Sequence, residues 1–127
     1  MLYICIIITN KTHKIMGACN FDNLVVIKGK AKDAYNDAVE DALYDDGHDP
    51  YNGTISTTDG FRMRKDNPRF GTKAFEAWES KVMDDLSKRE CVCVEITGAV
   101  ATRIKNRRGY KGRKGIGVFY FFGWASC

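Results

Sequence analysis

The chain has 127 residues, 44% hydrophobic and 28% charged, with a formal net charge of +4. That suits a single domain with a real core, and no apolar stretch nears the roughly 20 residues of a membrane-spanning helix. The charge is unevenly spread: residues 1–60 carry 5 Lys/Arg against 9 Asp/Glu, and residues 61–127 carry 15 against 7.

In chain order, residues 3–8 (Tyr-Ile-Cys-Ile-Ile-Ile) form a short continuous apolar run, which predicts a strand buried on both faces. The run has no basic flank and no small-residue cleavage site, so a signal peptide is not expected. Residues 10–14 are polar and predict a turn, with strands at 15–19 and 24–28. Over residues 31–44, Ala31, Ala34, Tyr35, Ala38, Val39, Ala42 and Leu43 step by three and four between acidic residues. This predicts an amphipathic helix with an acidic outer face, stopped at Gly47. A short strand is expected at 54–57, then a turn at Asp59-Gly60.

Residues 62–70 are basic and irregular. A second helix is expected from the N-cap Thr72 to about Arg89, with Phe75, Trp78, Val82 and Leu86 as its apolar stripe. Strands follow at 91–100 and 116–124. In the second, Val118, Tyr120, Phe122 and Trp124 point one way and Phe119 and Phe121 the other, so it should be central and covered on both faces.

The fold class expected is therefore α+β: a mainly antiparallel sheet with two amphipathic helices packed on one face. Two helices leave the other apolar face uncovered, which predicts a homo-oligomer.

Three constellations can carry chemistry. The first is the segment joining the last two strands, expected to be a long hairpin over 103–115. It holds Arg103, Lys105, Arg107, Arg108, Lys111, Arg113 and Lys114, no acidic residue, and several glycines. Arginine offers paired planar donors, lysine a point charge, and glycine lets backbone N–H groups approach an anion. Tyr110 can stack on a base, and Arg62 and Arg64 can extend the surface. The competing reading is a solvated hairpin tip whose charges discourage edge pairing. Seven cations without a carboxylate exceed what solubility requires, so a polyanion partner is preferred. The glycine spacing matches neither a Walker A loop nor a dinucleotide fingerprint.

The second is Asp45-Asp46-Gly47-His48-Asp49-Pro50-Tyr51-Asn52-Gly53-Thr54. His48 can act as a general base oriented by Asp49 or Asp46, with Tyr51 donating a proton. A polar helix stop built from turn residues explains the same composition, and is preferred. The third is Cys91-x-Cys93, whose thiols share one strand face and read as small buried side chains. An odd count of five cysteines without framework spacing predicts reduced thiols, with Cys127 free, in a cytoplasmic compartment. Two histidines and no calcium-loop pattern give no ground to expect a metal or another cofactor.

Two stretches, Gly47-His48-Asp49-Pro50-Tyr51-Asn52-Gly53-Thr54-Ile55 and Phe121-Phe122-Gly123-Trp124-Ala125-Ser126, resemble small, mostly uncharacterised proteins of phages and bacteria. The resemblance covers about a sixth of the chain. It implies a cytosolic accessory protein, phage-encoded, and gives weight to the His48–Tyr51 loop.

The leading functional expectation is non-catalytic binding of nucleic acid or a phosphorylated nucleotide through residues 103–115, in host takeover or counter-defence. The alternatives are a small enzyme acting on a nucleotide or nucleic acid through His48 and Tyr51, or an inhibitor gripping an acidic host protein. No membrane partner is expected.

Overall fold

Four strands make one sheet in a computed structural model that describes residues 17–127. They are β1 (Ala18–Lys28), β2 (Arg62–Arg64), β3 (Cys91–Ile96) and β4 (Ile116–Ser126), and their spatial order is β1-β4-β3-β2. β4 runs antiparallel to β1 and β3, while β2 lies parallel to β3, so the sheet is mixed. The strand expected at 3–8, the turn at 10–14 and the start of the strand at 15–19 lie outside the described residues.

The α+β class is as the sequence predicts, and β4 is indeed central. Its residues Val118 to Ser126 are all buried. On one face Val118, Tyr120, Phe122 and Trp124 pack with Val92, Val94 and Ile96 beneath α2 (Lys73–Asp85) and α3 (Gly98–Arg107). On the other, Phe119 and Phe121 pack with Val25, Cys91 and Cys93 beneath α1 (Ala31–Asp46) and Ile55.

The helices thus number three among the described residues and cover both faces, not two on one face. The bare face that motivated self-association does not exist in this arrangement.

The extra helix replaces the end of a predicted strand. β3 stops at Ile96, and Thr97 precedes a helix whose buried positions are Ala101 and Ile104. The expected hairpin is therefore a helix followed by a turn. Val100, Thr102 and Ile104 are β-branched and alternate, which mimics a strand, but Ala101 and Ile104 on one face bind the segment to the sheet as a helix.

α2 keeps its predicted N-cap, with Thr72 Oγ1 accepting from Phe75 N–H at 3.2 Å. It ends at Asp85, four residues before Arg89. Residues 87–90 form a turn instead, closed by Ser87 N–H donating to Glu90 Oε1 at 2.7 Å. The expected strand at 54–57 is a 3-10 turn, Ile55–Thr57. Thr54 captures it locally, its Oγ1 accepting from Ser56 N–H at 3.3 Å.

Candidate polyanion interface

α3 carries its cations late: Lys105 and Arg107 lie in its last turn, where the negative end of the helix dipole favours them. The helix stops at Gly109, whose φ of 85° a side chain would strain. The turn that follows is tied to the helix by Tyr110 N–H donating to Lys105 O at 2.9 Å, and it folds on itself by Arg113 N–H donating to Tyr110 O at 3.1 Å. Arg103, Arg107, Arg108, Lys111, Arg113 and Lys114 are exposed, and Lys105 is half-buried. None of the seven forms an ion pair among the described residues.

The turn ends at Gly115, where β4 begins. Gly29 N–H donates to Gly115 O at 3.3 Å, and the register pairs Lys28 with Ile116. This contact brings the Lys28-Gly29-Lys30-Ala31-Lys32 connection between β1 and α1 onto the same end of the sheet. Three further exposed cations, Lys28, Lys30 and Lys32, join the basic turn. Sequence reasoning missed them. The signal was there, three lysines in five residues, but only the β1–β4 pairing shows that this connection reaches Gly115, where the Lys28 side chain lies.

The basic end is not uniform. Arg113 stacks its guanidinium carbon 5.6 Å from the Tyr110 ring centre, so one face of the half-buried Tyr110 is already taken. Arg108 borders a groove of about 400 Å³ between β1 and α1, and the other charged residues lining it are Asp22, Asp37, Asp41, Asp45 and Asp46.

Arg62 and Arg64 take separate ground. They sit on β2, two strands from β4, level with Phe122 and Tyr120. At about 3.3 Å per residue that is roughly 13–20 Å along the sheet from Ile116. Both have partners. Arg62 reaches Glu90 at 3.9 Å. Arg64 donates from both Nε and an Nη to Asp66 at 2.9 and 2.8 Å, with its carbon 5.6 Å from the Trp78 ring centre. Trp78 Nε1–H also donates to Asp66, at 3.2 Å. The Arg64 and Trp78 bonds hold the Asp66 carboxyl far below the usual carboxylate range. Arg64 is thus committed to an internal partner.

No hydrogen bond links the side chains of His48, Asp49 and Tyr51 to one another among the described residues. All three are exposed, Tyr51 at 63%. Asp49 Oδ1 accepts from the Tyr51 backbone N–H at 2.9 Å, which is turn chemistry, and His48 makes no hydrogen bond among the described residues. The neighbouring Asn52 organises the segment. Its amide donates to Gly47 O at 2.9 Å and Ser56 Oγ at 3.0 Å, and its carbonyl accepts from Thr54 N–H at 3.0 Å.

The cysteines divide. Cys91 and Cys93 are buried as expected, and burial pushes both thiols up, so they stay protonated at neutral pH. Cys127 is not free. It is disulfide-bonded to Cys19, with Cα atoms 6.0 Å apart and a sequence separation of 108. Cysteine spacing could not reveal this pair, because it is made by β1 lying beside β4.

No protein-family model, curated protein or solved structure matches the chain.

Proposed function

We propose that this protein binds a phosphate-bearing polyanion, nucleic acid in the first instance, through the end of the sheet formed by residues 107–115 and 28–32. The observation that supports it most is the convergence of two separate basic segments, held by the Gly29–Gly115 hydrogen bond, with no carboxylate paired to the 103–115 cations among the described residues. Cations that only kept the protein soluble would gain nothing from being gathered at one end, where they repel each other.

α1 points the same way. Lys30 and Lys32 stand at its N-terminus, partly offset by Asp33, and Asp45 and Asp46 stand at its C-terminus, with no basic residue in the last turn. Both placements oppose the helix dipole, each at roughly 0.3–1 kcal/mol. Charges that cost helix stability are consistent with selection for an external partner.

No helix among the described residues is long and apolar enough to cross a membrane. On the resemblance to small phage and bacterial proteins, binding rather than turnover would serve host takeover or counter-defence. Cytoplasmic residence, inferred from free cysteines, loses that particular ground with the Cys19–Cys127 bridge. We retain it on the resemblance alone.

The test is salt dependence. Each phosphate contact on a duplex adds about −0.9 to the slope of log affinity against log salt. Five contacts would lose roughly 10²- to 10³-fold between 50 and 200 mM salt. Replacing Arg107, Lys111, Arg113 and Lys114 with alanine should flatten the slope by about 3.6 units on a duplex while the fold persists, since exposed charges add little stability. Salt-insensitive binding, or a quadruple variant that binds like wild type, overturns the proposal.

A further inference from the structure

The opposite end of β4 carries a device that the polyanion reading does not use. Three segments meet there. Cys127 N–H donates to Gly17 O at 2.8 Å, Gly53 N–H to Ser126 O at 2.9 Å, and Ser126 N–H to Thr57 Oγ1 at 2.8 Å. The start of β1, the end of β4 and the 52–58 segment are therefore one hydrogen-bonded unit. Within it the Cys19–Cys127 bond is the one covalent tie.

Ser126 and Thr57 are buried, at 1% and 5% exposure, so their bond has no water to replace it. If the strand end lifts, the 52–58 segment loses its seat. The bridge itself is accessible: Cys127 is exposed and Cys19 half-buried. Among the described residues the other thiols, Cys91 and Cys93, are shut in the α1-side core with Phe119 and Phe121, so exchange at the surface does not run on into them.

We infer that the Cys19–Cys127 disulfide is a redox-sensitive clasp: oxidised, it fixes the end of β4 and the 47–58 loop; reduced by a thiol, it releases both while the sheet and its basic end stay folded. Accessible disulfides of this kind, where they meet a thiol pool, act as reversible elements rather than permanent staples.

The exchange is balanced with two equivalents of a small thiol as reductant. One thiolate attacks Sγ of the exposed Cys127, forming a mixed disulfide and expelling the Cys19 thiolate, which takes up a proton. The second thiolate attacks the outer sulfur of the mixed disulfide and expels the Cys127 thiolate, which is protonated in turn. Two electrons and two protons pass to the protein, and the reductant leaves as its own disulfide.

The experiment compares the full chain, prepared without reductant, with the same sample in dithiothreitol. Proteolytic mapping of the first should give a peptide linking Cys19 to Cys127. Backbone hydrogen exchange over residues 17–24, 47–58 and 121–127 should quicken about ten-fold or more on reduction, with β3 and α3 unchanged. The Cys19→Ser, Cys127→Ser double variant should show the reduced pattern with or without dithiothreitol. Absence of the linked peptide, or identical exchange in the two states, overturns the inference. So does exchange that rises equally through β3 and α3, because the bond would then be a staple of the whole fold.

Discussion

Gly123 lies where β4 passes closest to the chain entering β3. A Cβ built there would stand 2.1 Å from the carbonyl oxygen of Glu90, an atom that also accepts from Trp124 N–H at 3.3 Å. Backbone cannot swing aside as a side-chain tip can. Gly123→Ala should therefore destabilise by about 1–3 kcal/mol through overpacking, read as a lowered urea midpoint with an unchanged slope. An unaltered midpoint would mean that β3 and β4 are not packed this closely.

Glu79 offers a second single-residue test. Tyr120 Oη–H donates to its Oε2 at 2.8 Å, and Asp22 Oδ2 lies 3.4 Å from the same hydroxyl. Burial raises the Glu79 carboxyl above its ordinary value; the Tyr120 bond opposes this, and nearby Asp22 and Glu76 add to it. The folded state then holds this proton more tightly than the unfolded chain does. The stability contribution is complete below the usual carboxylate range near 4.5 and is lost as pH rises through the elevated folded value. Glu79→Gln cannot titrate, so its stability advantage over wild type should widen from pH 4 towards neutrality. Parallel curves for the two proteins would exclude a raised Glu79.

At the scale of elements, α1 allows stability and binding to be pulled apart. Its N-cap is Lys30, which has no side-chain acceptor for the free N–H groups of the first turn. Asp33 reaches back to Lys30 N–H at 2.8 Å, which is half of a capping box. Lys30→Ser would complete it and should stabilise the fold by about 1 kcal/mol. The same substitution removes one cation from the basic end, so the salt slope should fall by about 0.7–0.9. Thermal unfolding and a salt titration of DNA binding check the two halves separately. A stabilised variant with an undiminished slope would remove Lys30 from the interface.

α1 and α2 were legible because their apolar residues recur at three and four and are bounded by Gly47 and Thr72. β4 was legible because aromatic and branched residues alternate on both faces. α3 was not, although Thr97 before it, Ala101 and Ile104 within it and Gly109 after it are ordinary helix signals. The run of charge across its second half is equally suited to a hairpin, and only packing on the sheet decides between the two periods over ten residues.

For the whole molecule, sequence identified the basic segment but not its company. Local composition marks 103–115 as cationic. That Lys28, Lys30 and Lys32 join it, that Arg62 and Arg64 do not, and that Cys19 finds Cys127, all follow from which strand lies beside β4. Those are long-range pairings, and they leave no trace in spacing. The same topology sets the two proposed devices far apart. The basic turn enters β4 at Ile116 and the clasp closes just beyond Ser126, which is 10 residues away, or roughly 33 Å along the strand. Sites so separated, without shared partners, should act independently to within about 0.3–0.5 kcal/mol. Combining the Arg107, Lys111, Arg113 and Lys114 alanine substitutions with Cys19→Ser and Cys127→Ser should thus weaken DNA binding no more than the four alanines alone. The cysteine pair should lower the thermal midpoint equally in both backgrounds. A coupling well above 0.5 kcal/mol in either measurement would show that β4 transmits the state of one end to the other.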